Sequence, residues 1–144
     1  MHEVSGYPSR WPDDPGGWIT PRGMVAAWVA GHDGEVAGHV ALVRGMRVDC
    51  LLRATGLPAE ALGGIARLYV DPHFQRLGLA RALLNIAASA AVDHGLQPVL
   101  DVVDDSAPAI ALYEQARWQL VGTQPATWTG PDGSIPVIRC YVRP

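Results

Sequence analysis

The chain has 144 residues, 49% of them apolar and 17% charged; the length favours one domain over residues 1–144, and the composition excludes disorder. A formal net charge of −3 opposes a general nucleic-acid binder, which needs a basic face to displace counterions. No apolar run reaches the ~18 residues of a membrane span, and Met1-His2-Glu3-Val4-Ser5 lacks the basic start and apolar stretch of a signal peptide, so no membrane partner and a cytoplasmic location are expected.

Residues 5–23 carry Gly6, Pro8, Pro12, Pro15, Gly16, Gly17 and Pro21 around Tyr7, Trp11 and Trp18. Proline removes backbone donors and glycine opposes regular structure, so this segment reads as a loop pinned by its aromatics, which are equally placed to line a pocket for an apolar or cationic group. Met24–Ala30 and Glu35–Val43 are apolar runs joined by Asp33-Gly34, a strong hairpin signal. Residues 44–64 are less regular, with a short helical turn predicted over Leu57–Leu62.

From Ile65 strand and helix patterns alternate. Ile65–Val70 is predicted as a strand stopped by Asp71-Pro72. Leu79–His94 is predicted as a helix whose Leu79, Leu83, Ile86, Ala87 and Ala90 share one face. Gly95 is its expected left-handed cap, with His94 at the negative end of the helix dipole. Val99–Val103 reads as a buried strand, and Ser106 is expected to cap a second helix running to about Arg117, with Pro108 in its first turn. Strands over Gln119–Thr123 and Val137–Val142 flank a turn at Gly130-Pro131-Asp132-Gly133. Hairpin, strand, helix, strand, helix and two more strands make a mixed α/β sheet.

All 11 basic residues are arginine. Without lysine the chain has neither a lysine-dependent phosphate loop nor an amine for Schiff-base chemistry. Cys50 and Cys140 show no pairing or metal-ligand spacing and read as reduced core residues; no metal is expected. No Gly-x-Ser-x-Gly elbow, His-Glu-x-x-His pair or Gly-x-Gly-x-x-Gly is present.

Chemistry concentrates in Val70-Asp71-Pro72-His73-Phe74-Gln75-Arg76-Leu77-Gly78-Leu79-Ala80-Arg81. There a strand runs into a loop and the loop into the first turn of a helix, where about four backbone N–H groups lack partners and the dipole is positive. An anion at that point receives several hydrogen bonds at once, and Gly78 and Ala80 keep side-chain bulk out of its approach. The residues alone leave two readings open: a pyrophosphate cradle, or a helix start with one small residue for packing.

Gln75-Arg76-Leu77-Gly78-Leu79-Ala80 resembles the Gln/Arg-x-x-Gly-x-Gly/Ala signature of the GNAT superfamily of acyl-CoA-dependent N-acetyltransferases. It follows a strand ending Val70-Asp71-Pro72, as family members have it. Ala109-Ile110-Ala111-Leu112-Tyr113-Glu114 resembles the second signature, in which a Leu-Tyr pair follows the fifth strand. The resemblance covers roughly residues 24–142. It implies a GNAT-like mixed, mostly antiparallel α/β sheet with flanking helices, here lacking the usual first strand and helix, since only 23 residues precede Met24. Either the start is assigned late, or the domain dispenses with that strand and leaves Met24–Ala30 as an edge for a partner subunit to cover.

The resemblance further implies acetyl-CoA as cosubstrate and direct acetyl transfer to a primary amine through a tetrahedral intermediate. The pyrophosphate would lie on backbone amides of Leu77, Gly78, Leu79, Ala80 and Arg81, with Gln75 and Arg81 side chains as supplements and Arg76 in the same loop. The strand ending Tyr69-Val70 would splay from Val99–Val103 to admit the pantetheine, and the Val70 N–H would polarise the acetyl carbonyl. Tyr113 would protonate the departing thiolate, a plausible step for a phenol of pKa ~10 and a thiol of ~8.5; packing under the sheet is the alternative. Asp101, a carboxylate in an otherwise apolar strand, is the candidate base and His39 its alternative, while His32, His73 and His94 read as solvated.

Two local departures qualify these roles. Ser106 stands where the family often has an asparagine that contacts CoA, so it joins the cofactor-binding candidates with an altered bond. Arg117-Trp118 replaces the usual Gly-Phe. The acceptor is a small-molecule amine or a protein N-terminus, and a homodimer is implied by the resemblance alone. The rivals are a non-catalytic acyl-CoA-binding or sensing module, and an interaction domain with a shortened fold.

Overall fold

The computed structural model describes residues 23–75 and 78–144. β1 (Met24–His32) and β2 (Glu35–Arg44) form the expected hairpin. Asp33 and Gly34 take φ of 51° and 81°, the left-handed pair that an Asp-Gly hairpin turn requires. β3 (Leu62–Val70), β4 (Gln97–Val103), β5 (Gln119–Pro125) and β6 (Val137–Val142) join them in one sheet, ordered β1-β2-β3-β4-β6-β5. Every pairing is antiparallel except that of β3 with β4. Among the described residues this is the mixed, mostly antiparallel α/β sheet with flanking helices that the sequence predicts.

Side chains alternate between the two faces of a strand, and the sheet accordingly carries two apolar clusters. On one face Val40, Leu42, Ile65, Leu100 and Tyr141 pack beneath α2 (Leu79–Asp93) and α3 (Ala107–Gln115). On the other, Leu62, Val99, Ile138 and Cys140 pack against α1 (Asp49–Thr55) through Cys50 and Leu51. Leu100 and Val102 of β4 thus turn toward α2, and Val99, Asp101 and Val103 toward α1. Among the described residues no helix is long and apolar enough to cross a membrane.

Three local expectations are corrected. The buried stripe of α2 is Leu83, Leu84, Ala87, Ala88 and Ala91, and Ile86 is 46% exposed. Close approach selects small residues over large ones here: a Cβ on Gly63 would lie 2.8 Å from the Ala91 Cβ and 3.1 Å from the Leu96 Cβ. β3 begins at Leu62 rather than Ile65, since Gly63 against α2 and Gly64 against Val43 and Met46 serve close packing, and both stay paired within the sheet rather than breaking the strand. Third, α1 occupies residues predicted to be irregular. It is seven residues long, Val48 at its N-cap supplies no side-chain cap, and Gly56 closes it at φ 67°. A 3-10 turn at Ala59–Ala61 follows, inside the predicted helical turn.

Candidate active site

β3 and β4 pair only over Leu62, Gly63 and Gly64 with Gln97, Pro98 and Val99. Beyond that point β3 stays with β2 as far as Val70 opposite Gly38, and β4 stays with β6 as far as Val103 opposite Ile138. The two parallel strands therefore part toward their C-terminal ends and open a V in the sheet. A bulge in β3 accompanies the parting. Arg67 takes φ 55°, and the register slips where His39 and Ala41 oppose Tyr69 and Ala66. Such a bulge bends a strand and increases its twist.

The open edge of the V carries backbone donors. The Asp71 N–H donates to the Ala37 carbonyl at 2.8 Å. N–H groups alternate in direction along a strand, so that of Val70 points away from β2 and into the V. Tyr69 and Val70 lie on opposite faces: Val70 packs with the α2 cluster, and Tyr69 stands opposite His39 on the α1 side.

Because β3 and β4 run parallel, the loops that follow them meet at one end of the sheet. Asp71 is buried at 4% exposure, and its carboxylate accepts the His73 N–H at 2.9 Å, which turns the chain into the 3-10 turn Pro72–Phe74. α2 then starts from Gly78 at φ 75°, a residue with no side chain to cap the first turn. The N–H groups of Leu79, Ala80 and Arg81 consequently have no acceptor within the helix. Left-handed backbone requires glycine at 78, and a Cβ built there meets nothing within 4 Å. Gln75 and Arg81 are exposed at the same end. Arg76 and Leu77 lie outside the described residues, as do Tyr7, Trp11 and Trp18.

Asp101 projects from β4 on the α1 face, directly opposite Cys140. Burial raises its carboxyl above the ordinary value, partly offset by a hydrogen bond from its own backbone N–H. Burial first, then the hydrogen bond with Cys50, push the Cys140 thiol up to about 12. Both cysteines are free and buried. His39, on the same face, donates its Nδ1–H to the Arg67 carbonyl of the bulge at 3.0 Å, which leaves Nε2 as its acceptor nitrogen.

Tyr113 lies on the other face, 7% exposed between α3 and the sheet, with its ring 5.8 Å from that of Tyr141. Tyr141 is fully buried and donates its hydroxyl to Glu114 Oε2 at 3.1 Å. That oxygen is also 3.7 Å from Arg139 Nη1, and Arg139 Nε pairs with Asp104 in the loop after β4. The sequence reading passed over this network. Its signal was the adjacency of Glu114 to Tyr113, together with Arg139 and Tyr141 two residues apart on one strand face.

Ser106 occupies the N-cap position of α3, but its side chain makes no capping bond; its N–H donates to the Val103 carbonyl at 3.0 Å. A capping hydroxyl accepts from the second or third helical N–H, and the second residue here is Pro108, which has none. Where family members have glycine, Arg117 itself takes φ 66°, and the Trp118 N–H closes the helix on the Tyr113 carbonyl at 3.0 Å. Among the described residues no group of three or more His, Cys, Asp or Glu side chains is placed to hold a metal.

The sequence profile of the acetyltransferase (GNAT) family matches residues 3–117. The chain belongs to that family. It is 36% identical over 109 residues to the mycothiol acetyltransferase of Acidothermus cellulolyticus, an alignment covering 74% of this chain and 32% of that protein. The chain therefore spans about a third of that relative's length. In fold it is similar to Arabidopsis thaliana NAA60 in complex with a bisubstrate analogue, with a TM-score of 0.74 at 19% identity over 99% of this chain and 87% of that one. YncA from Salmonella typhimurium, a putative acetyltransferase solved with its cofactor acetyl-CoA, is also similar, with a TM-score of 0.65 at 19% identity over 81% of this chain and 62% of that one.

Proposed function

We propose that this chain is an acetyl-CoA-dependent N-acetyltransferase that passes the acetyl group directly to a primary amine, on a small molecule or a protein N-terminus. The observation that carries the reading is the V between β3 and β4 with a helix N-terminus that starts from Gly78 at its mouth. An extended, amide-bearing arm pairs with free strand edges as an added strand does, and a diphosphate matches unpaired N–H groups at the positive end of a helix. Acetyl-CoA supplies the acetyl group as an activated thioester.

The chain's own groups divide the work. Backbone N–H groups of Leu79, Ala80 and Arg81, with Leu77 and Gly78 before them, hold the pyrophosphate. Gln75, Arg76 and Arg81 add side-chain donors, and Ser106 and Tyr69 flank the arm. The Val70 N–H, aimed into the V, polarises the acetyl carbonyl. Asp101 takes the proton from the attacking amine, and burial brings its pKa nearer to neutrality, where a general base works best. Tyr113 delivers a proton to the departing sulfur from the opposite face of the sheet, so one side receives the amine and the other attends the leaving group. A thiol pushed up to about 12 stays protonated at neutral pH, which argues against an acyl-cysteine route through Cys140. A cytoplasmic setting and a homodimer belong to the same proposal, the latter supported by β1, which is an edge strand among the described residues, with Val29 65% exposed.

The burial of Tyr113 within the core cluster favours a second reading, an acyl-CoA-binding module without turnover. Calorimetric titration with acetyl-CoA, against Gly78→Glu as control, tests the cradle. An amine screen reading CoA release, with Tyr113→Phe, tests the transfer. Saturable binding lost in Gly78→Glu, and a kcat lowered by roughly a hundredfold in Tyr113→Phe with unchanged acetyl-CoA affinity, are expected. Binding without any turnover favours the module, and folded wild-type protein that fails to bind acetyl-CoA defeats both.

A further inference from the structure

We infer that Glu114 is a positioning residue for Tyr113, holding α3 in place through the hydroxyl of Tyr141; the inference rests on the transfer reading above. α3 has nine residues, and Tyr113 is the one it buries. A helix that short has little stability of its own, so its placement comes from what ties it down. The Ser106 side chain supplies no cap at its N-terminus. At its C-terminus the Trp118 N–H closes on the Tyr113 carbonyl. Between them stands the Tyr141 hydroxyl donating to Glu114 Oε2 at 3.1 Å.

The two halves of that link differ in weight. Glu114 and Arg139 are 53% and 30% exposed in their side chains and 3.7 Å apart, and exposed ion pairs contribute little. Tyr141 is fully buried and its hydroxyl also meets Arg139, but a guanidinium only donates, so Glu114 accepts the hydroxyl proton; a buried donor left without an acceptor is costly, and that directional bond is the stronger constraint. Tyr141 also presents its ring to Tyr113. One buried tyrosine thus fixes two successive residues of α3, setting both the rotation of the helix and the place of the Tyr113 hydroxyl.

The test is a double-mutant cycle on the full chain, reading kcat, acetyl-CoA KM and Tm. Glu114→Ala is expected to lower kcat about tenfold with KM within about twofold. Glu114→Gln loses less, because its amide oxygen still accepts the Tyr141 hydroxyl, and Tyr141→Phe, which removes that hydroxyl alone, reproduces the loss should Glu114→Ala fold poorly. In a Tyr113→Phe background neither change costs anything further. An equal loss in both backgrounds, or a Glu114→Gln as impaired as Glu114→Ala, overturns the positioning role while leaving the transfer reading intact. A Tyr113→Phe enzyme with wild-type kcat overturns the donor role of Tyr113 and the positioning role with it.

Discussion

A carboxylate set between apolar neighbours in a strand is tolerated only if its charge is paired or its proton is held. Asp101, between Leu100 and Val102 and raised by burial, holds its proton over a pH range in which the unfolded chain, near the ordinary ~3.9, has already lost it. The folded state then binds more protons than the unfolded one. Its stability is full below the ordinary carboxylate pKa and declines as pH rises through the raised folded value. Asp101→Asn should therefore match wild type below pH ~4 and exceed it at neutral pH, in denaturation series across the range. The same substitution should lower kcat/KM by about a hundredfold or more, and the acid limb of the wild-type profile should lie above the usual carboxylate range. A variant less stable than wild type at pH 7 and fully active would remove Asp101 from the mechanism.

Contacts between elements depend on residues defined by what they lack. α2 settles onto β3 where Gly63 faces Ala91 and Leu96. Gly63→Ala should cost ~1–3 kcal/mol through overpacking, read as a lower urea midpoint at unchanged slope; wild-type stability would show that α2 has room to lift. The same logic explains what the sequence made legible. Asp33-Gly34 announces itself because its left-handed backbone selects those residue types, and with it the hairpin was readable; the glycine at 78 likewise marked the start of α2. Gly63 and Gly64 misled, since a glycine spent on close packing looks like a breaker, and the alanines of α2 hid the face that Ile86 seemed to mark. α1 offers no side-chain cap at Val48 and so no start signal. Arg67 and Arg117 hold positive φ at positions where arginine gives no hint of it. The bulge beside the V was therefore invisible locally, and the splay itself was inferred only through family resemblance.

Among the described residues two three-stranded halves, β1-β2-β3 and β4-β6-β5, meet in the sheet along the short Leu62–Gly64 and Gln97–Val99 ladder. Below them α2 and the cluster of Leu42, Ile65, Leu100 and Tyr141 span the join. Past the ladder, strand alternation turns N–H groups into the gap: Val70 because Asp71 bonds β2, and Val103 because the Asp104 N–H bonds the Val137 carbonyl at 2.9 Å. Among the described residues no strand lies between them, so these amides have no ladder partner there and should exchange rapidly with solvent. A ligand that binds only the folded state at a hundred times its Kd adds ~2.7 kcal/mol against global unfolding, a gain shared by every amide that exchanges through that route. Filling the V predicts something further and local. Hydrogen exchange with saturating acetyl-CoA should slow Val70 and Val103 by a larger factor than Gly64 or Val99, which are paired already. Protection that rises evenly across the sheet would mean that the ligand binds at the mouth through its phosphates and leaves the gap between the two halves open to water.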